Sequence, residues 1–243
     1  MTYYLQDSQH RGHAWTRLPY ATPRAVTPAE VMNAARREWL VSEVLQYQLE
    51  QGATTLIPPC VHIDRPDSGS GWIEVQARLW RTARQVLDAH RVTVPILALV
   101  ALGWRYLVPQ QAAELQPLWD ALRLLRPGEV RLAASKVAAG RRPDERLVDL
   151  LQLVDQLSRH HPVVMWQEGL LGEACIAAGA TAYETGIGWR ERCDLNQSMA
   201  AHRHQPGPDS HPGARYVYIA DLGRSVHKDT ITAALEAMAP AAS

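Results

Sequence analysis

Lys136 is one of only two lysines, with Lys228, in a chain of 25 basic residues, so 25 − 2 = 23 of them are arginine. It follows the apolar run Leu132-Ala133-Ala134 and Ser135, which sets an amine at the end of a buried strand. Desolvation there would ready it for Schiff-base or general-base chemistry, or its charge would hold a phosphate. The competing reading is an ion pair with a strand-end carboxylate such as Glu168. Carboxylates follow most of the other apolar runs: Asp7, Asp64, Glu168, Glu184 and Asp221. Carboxylates in unlike surroundings can divide acid and base roles. Lys136, Glu168 and Glu184, with Asp7 and Asp64, are therefore the candidate catalytic set, against the alternative that each caps a helix or pairs with an arginine.

A second group suggests ligand binding. Thr185-Gly186-Ile187-Gly188 precedes a helix-like segment with Arg190 and Arg192. Glycines let backbone N–H groups approach an anion, and a helix N-terminus adds a favourable dipole; a plain turn is the alternative. Gly186, Gly188, Arg190 and Arg224 are assigned to this anion site. Trp104, Trp166 and Trp189 lie near run ends, where they stack on a base or sugar or pack between helix and sheet. No metal is expected: the ten histidines show no H-E-x-x-H spacing, and Cys60, Cys175 and Cys193 form no paired motif. His202-x-His204 and His211 fall in a polar loop spanning 202–213, and His160-His161 end a helix as C-terminal cations. Cys60 and His62, a thiol and a base two residues apart, are not assigned as a dyad. No cofactor is assigned either.

The elements that must position these groups are legible as periodicity. Leu147, Leu150, Leu151, Val154 and Leu157 make one apolar helical stripe, with Pro143, Asp144 and Glu145 suited to its first turn. Thr27-Pro28-Ala29-Glu30 reads as a capping box ahead of Met32, Ala35, Trp39, Leu40 and Val44. Similar stripes run through 75–87, 115–125 and 231–238. Between them stand short runs apolar on both faces: 54–57, 94–102, 130–134, 163–166, 180–183 and 216–219, the pattern of parallel strands beneath helices. Gly52, Gly128 and Gly179 sit where left-handed residues would end helices. With Tyr3 to Gln6 as an opening strand, about seven βα units fill one domain, 1–243. That length and alternation predict a (β/α)8-like TIM barrel with one unit irregular or missing; the alternative is a doubly wound parallel sheet, disfavoured by the lack of G-x-G-x-x-G after the first strand.

Composition narrows partners. Lys+Arg and Asp+Glu both total 25, so no overall field attracts nucleic acid or an anionic membrane. No apolar run approaches the roughly 20 residues of a membrane span. An odd, small cysteine count argues against a disulfide framework and for a reducing cytoplasm. The arginine excess, the absence of Phe, and only two Asn (Asn33 and Asn196) look like GC-rich coding, so a single arginine says little.

Tyr3-Tyr4-Leu5-Gln6-Asp7-Ser8-Gln9, Glu168-Gly169-Leu170-Leu171-Gly172-Glu173 and Gly186-Ile187-Gly188 resemble bacterial TIM-barrel relatives of tRNA-guanine transglycosylases. The resemblance implies a barrel and exchange of a nucleobase by aspartates, with Asp7 nearest the N-terminal motif and Gly186 to Gly188 as the late glycine loop. The family's cysteine-rich zinc cluster and basic tRNA-binding surface have no counterpart. The expectation is a barrel binding a polar, phosphorylated or nucleoside-like small molecule by acid/base groups, as a lyase, hydrolase or glycosyl/base transferase. Its rival is a non-catalytic binding or assembly module whose rim charges pair with one another.

Overall fold

The computed structural model describes residues 6, 18–22, 25–64, 66–138, 142–185, 192–203, 216–219, 224–227, 230–232 and 235. Thr27 accepts from the N–H of Glu30, whose carboxylate accepts from the Thr27 N–H at 2.8 Å, so the capping box forms and Pro28 opens α1 (Pro28–Met32). The stripe that follows is not one helix. Asn33 leaves the helical conformation and its side chain accepts from the Arg36 N–H at 3.0 Å, starting α2 (Ala34–Glu50) afresh. A residue whose side chain competes for backbone donors favours a cap over a helix interior.

The remaining elements are β1 (His62–Ile63), α3 (Pro66–Ala89), β2 (Leu97–Gly103), α4 (Gln116–Leu125), β3 (Glu129–Ser135), α5 (Pro143–Ser158), β4 (Val163–Met165), α6 (Gly172–Ala177), β5 (Ala182–Tyr183) and α7 (Leu195–Arg203), then β6 (Tyr216–Ile219) and β7 (Arg224–His227). Strands β1 to β5 form one sheet in sequential order, all parallel. Every residue of β2 is buried, as the two-sided apolar run predicts. No described helix is long and apolar enough to cross a membrane.

Several expectations are corrected. The 54–57 run makes only one parallel bridge, Leu56 to Ile96, and pairing resumes at His62 after Pro58-Pro59, two residues with no N–H for a ladder. The 216–219 strand pairs antiparallel with β7 in a separate hairpin, so Arg224 opens a return strand instead of following a parallel one. Only four residues separate β6 from β7, whereas a parallel crossover takes a dozen or more. Five parallel strands, not seven, are present among the described residues. Gly52 and Gly179 take positive φ, but the left-handed cap of α4 is Arg126, not Gly128.

The two faces of the sheet differ. Ile63, Val100, Leu102, Leu132, Ala134 and Met165 point into the main core with Leu40 and Val44 of α2, Leu79 and Trp80 of α3, Leu122 of α4 and Val154 of α5. On the opposite face Cys60, Leu99, Ala101, Ala133 and Trp166 pack against Cys193, Leu195 and Met199. Successive side chains alternate between faces, so the row His62, Ala101, Ala133 set by the strand register lies on that second face.

Candidate functional site

The second face gathers polar groups toward the C-terminal strand ends. Gln6 secures the outer edge of β1: its Nε2 donates to the His62 carbonyl at 3.0 Å and its Oε1 accepts from the His62 N–H. His62 is itself buried, and its Nε2 has no hydrogen-bond partner. Burial holds its imidazole down at about 4, with Asp64 opposing and Lys136 reinforcing the shift, so the ring is neutral at pH 7. Asp64 crosses the end of β2 so closely that a Cβ on Gly103 would stand 2.2 Å from the Asp64 carbonyl oxygen. Glycine is required there by the approach of another backbone.

Ser135 and Lys136 end β3. Lys136 takes the left-handed conformation, φ 67°, as does Gln167 just beyond β4, φ 56°. Non-glycine residues reach this region at a cost of about 1 kcal/mol or more and cluster where surrounding structure dictates them. The segment from Cys193 to Asn196, leading into α7, docks on these ends. Lys136 N–H donates to the Cys193 carbonyl at 2.8 Å, Leu195 N–H to Ser135 Oγ at 3.1 Å, and Asn196 Nδ2 to Asp64 Oδ2 at 3.2 Å. The partly exposed Lys136 Nζ lies 4.0 Å from Asp194 Oδ1, so its carboxylate neighbour is Asp194 and not Glu168.

Glu168 follows β4 through Trp166 and Gln167. Its N–H donates to the Glu184 carbonyl and its own carbonyl accepts from Leu171, while its carboxyl is 1% exposed with Oε1 unpartnered. Burial pushes that carboxyl up to about 9, so it carries its proton at neutral pH. Cys193 and Cys175 lie within its electrostatic reach, and burial raises both thiols, Cys175 to about 12. Cys60 is likewise held at about 12 by burial and is not a thiolate base partner for His62.

The other candidates divide. Glu184 is ion-paired to Arg131, which also reaches Glu129 at 3.0 Å. Trp166 is buried on the second face. Trp104 packs against the helix-side core, with the Arg146 guanidinium 3.7 Å and the Arg105 guanidinium 4.6 Å from its ring centre, so cations already occupy its face. Asp7, Asp221, Gly186, Gly188, Arg190, Trp189, His204 and His211 lie outside the described residues, as do two of the three stretches resembling the transglycosylase relatives, apart from Gln6. The third runs from Glu168 into α6. His161 is held below its ordinary value by burial and by His160, which weakens it as a helix-end cation. Among the described residues no group of three or more His, Cys, Asp or Glu is arranged to hold a metal ion.

Sequence alone assigns no role to His62, Ser135, Asp194 or Asn196. Rarity was the available signal, since both asparagines make structural side-chain bonds, Asn33 as a cap and Asn196 to Asp64. No protein-family model matches this chain, and no curated protein matches it.

Proposed function

We propose that this chain is a barrel-type α/β protein that binds a small polar ligand, phosphorylated or nucleoside-like, at the C-terminal ends of its parallel strands and acts on it by acid/base chemistry. Support for barrel winding comes from strand order, which advances from β1 to β5 without reversal while α2 to α5 contribute to the core on one face. A doubly wound sheet, the alternative, reverses its order; α7, whose Leu195 and Met199 pack on the second face, is the feature this chain would share with it.

One observation carries the functional reading: His62 and Glu168 are buried titratable groups, each with an atom lacking a partner. An unsatisfied buried polar atom costs about 1–3 kcal/mol, and a ligand group would supply the missing bond. In this reading protonated Glu168 delivers the proton that a lyase, hydrolase or base transferase must give its leaving group, while Asp64 and Lys136 orient the ligand or accept a proton. The buried, free cysteines fit a reducing cytoplasm. The second reading, a binding or assembly module, is favoured by Arg131, whose pairing with Glu184 takes that carboxylate out of the acid/base set.

Thermal unfolding against nucleosides, sugar phosphates and inorganic phosphate tests this. A ligand at 100 times its Kd adds about 2.7 kcal/mol, which raises Tm by about 5–10 °C in a domain of this size. Lys136→Met should shrink that shift. If no compound moves Tm and Glu168→Leu raises it, the buried carboxyl is merely a defect and the module reading replaces this one.

A further inference from the structure

We infer that the segment Cys193 to Asn196 is a gate over the strand-end site, closed in this structure and opened to let a ligand reach His62 and Glu168. The inference rests on the functional reading above for what passes the gate, although opening itself is measurable without a ligand. His62 is 4% and Glu168 1% exposed, too little for either to touch a ligand from solvent. The same segment begins the cover: Cys193, Leu195 and Met199 lie over Cys60, Leu99, Ala101, Ala133 and Trp166, on the face that carries His62.

The closing bonds run from the segment to two places, Ser135 and Lys136 at the end of β3 and Asp64 beyond β1. None belongs to the strand ladder, so they can part while the sheet stays paired. Asp194 also caps α7, accepting from Gln197 N–H at its Oδ1 and from Ser198 N–H at its carbonyl, both at 2.9 Å. Segment and helix start are therefore one unit, and opening lifts both. Such local opening draws on few, weak contacts and proceeds independently of global unfolding.

The thiol of Cys193 reports it. The intact protein is alkylated with iodoacetamide under native conditions and each cysteine followed by peptide mass, with Cys175 in the helix-side core as the reference for global unfolding. Removing one hydrogen bond, with Asn196→Ala, should speed Cys193 about fivefold and leave Cys175 unchanged. Asn196→Asp, which sets a second carboxylate beside Asp64, should speed it further. An unchanged Cys193 rate in both variants, or Cys193 and Cys175 rising together, overturns the gate. A Cys193-selective increase in a protein that no compound stabilises keeps the gate and removes the functional reading instead.

Discussion

The helix-side and open faces of the parallel sheet are built from the same strands by different rules. On the helix side, Val100, Leu132 and Met165 meet side chains from α2 to α5 in a continuous apolar core. On the other side a small apolar cluster shares its face with His62, Glu129, Arg131 and Glu184, and among the described residues its cover comes from the segment around Cys193 to Met199. Burial of a Leu or Ile contributes about 1.5–3 kcal/mol, so stability is concentrated on the first face. The second can then tolerate a neutral buried histidine and a left-handed Lys136 at the end of β3.

The largest effect separates the faces directly. Trp80→Ala, in the helix-side core, should cost about 3–5 kcal/mol in urea unfolding, while Leu195→Ala on the open face should fall near the low end for buried leucine, about 2 kcal/mol. Equal losses would erase the distinction. Next comes Gly103→Ala: its Cβ would meet the Asp64 carbonyl, so a loss of about 1–3 kcal/mol is expected from chemical denaturation, and a neutral result would mean Asp64 moves freely.

The pH profile sharpens the contrast further. The folded chain keeps a proton on Glu168 up to about pH 9, against 4.5 ordinarily, so the stability it contributes is full below pH 4.5 and is lost as pH rises toward 9. His62 is held at about 4 against 6.5, so its contribution is full above pH 6.5 and is lost as pH falls toward 4. The two slopes oppose between 4.5 and 6.5. Between 6.5 and about 8, of the two only Glu168 remains, and stability should fall by up to about 1.4 kcal/mol per pH unit; above that the buried thiols of Cys60, Cys175 and Cys193 add to the fall. Glu168→Gln should flatten that limb in denaturation curves taken from pH 6.5 to about 8, below the ordinary thiol range; a wild-type protein already flat there contradicts a buried, protonated Glu168. The smallest effect lies away from both faces, where Thr27→Ala removes the α1 cap at a cost of about 1 kcal/mol, measurable as a small drop in Tm.

Much of the scaffold was legible in the chain. The capping box at Thr27, the start of α5 at Pro143 and the fully buried β2 run all follow from neighbours within a few residues. The stripe from Met32 to Val44 spans two helices because apolar spacing continues across Asn33 while its side chain caps a new helix. The last run pairs antiparallel, which apolar composition does not distinguish from parallel pairing; the short connection to β7 does. Of the candidate residues, Asp64 and Lys136 directly follow β1 and β3, and Glu168 stands three residues beyond β4. The partner of Lys136 was not foreseeable, because Asp194 arrives from a segment far along the chain.

The sequence by itself determined the alternation of strands and helices, their apolar faces and several of their caps, since those depend on spacing and local hydrogen bonding. Only the tertiary structure decided which polar groups meet. Asn196 bonds Asp64 across 132 positions and Leu195 bonds Ser135 across 60, contacts set by strand register and by where α7 docks. It also decided their charge states, because whether Glu168 keeps its proton depends on burial by segments distant in sequence, and no local pattern encodes that desolvation.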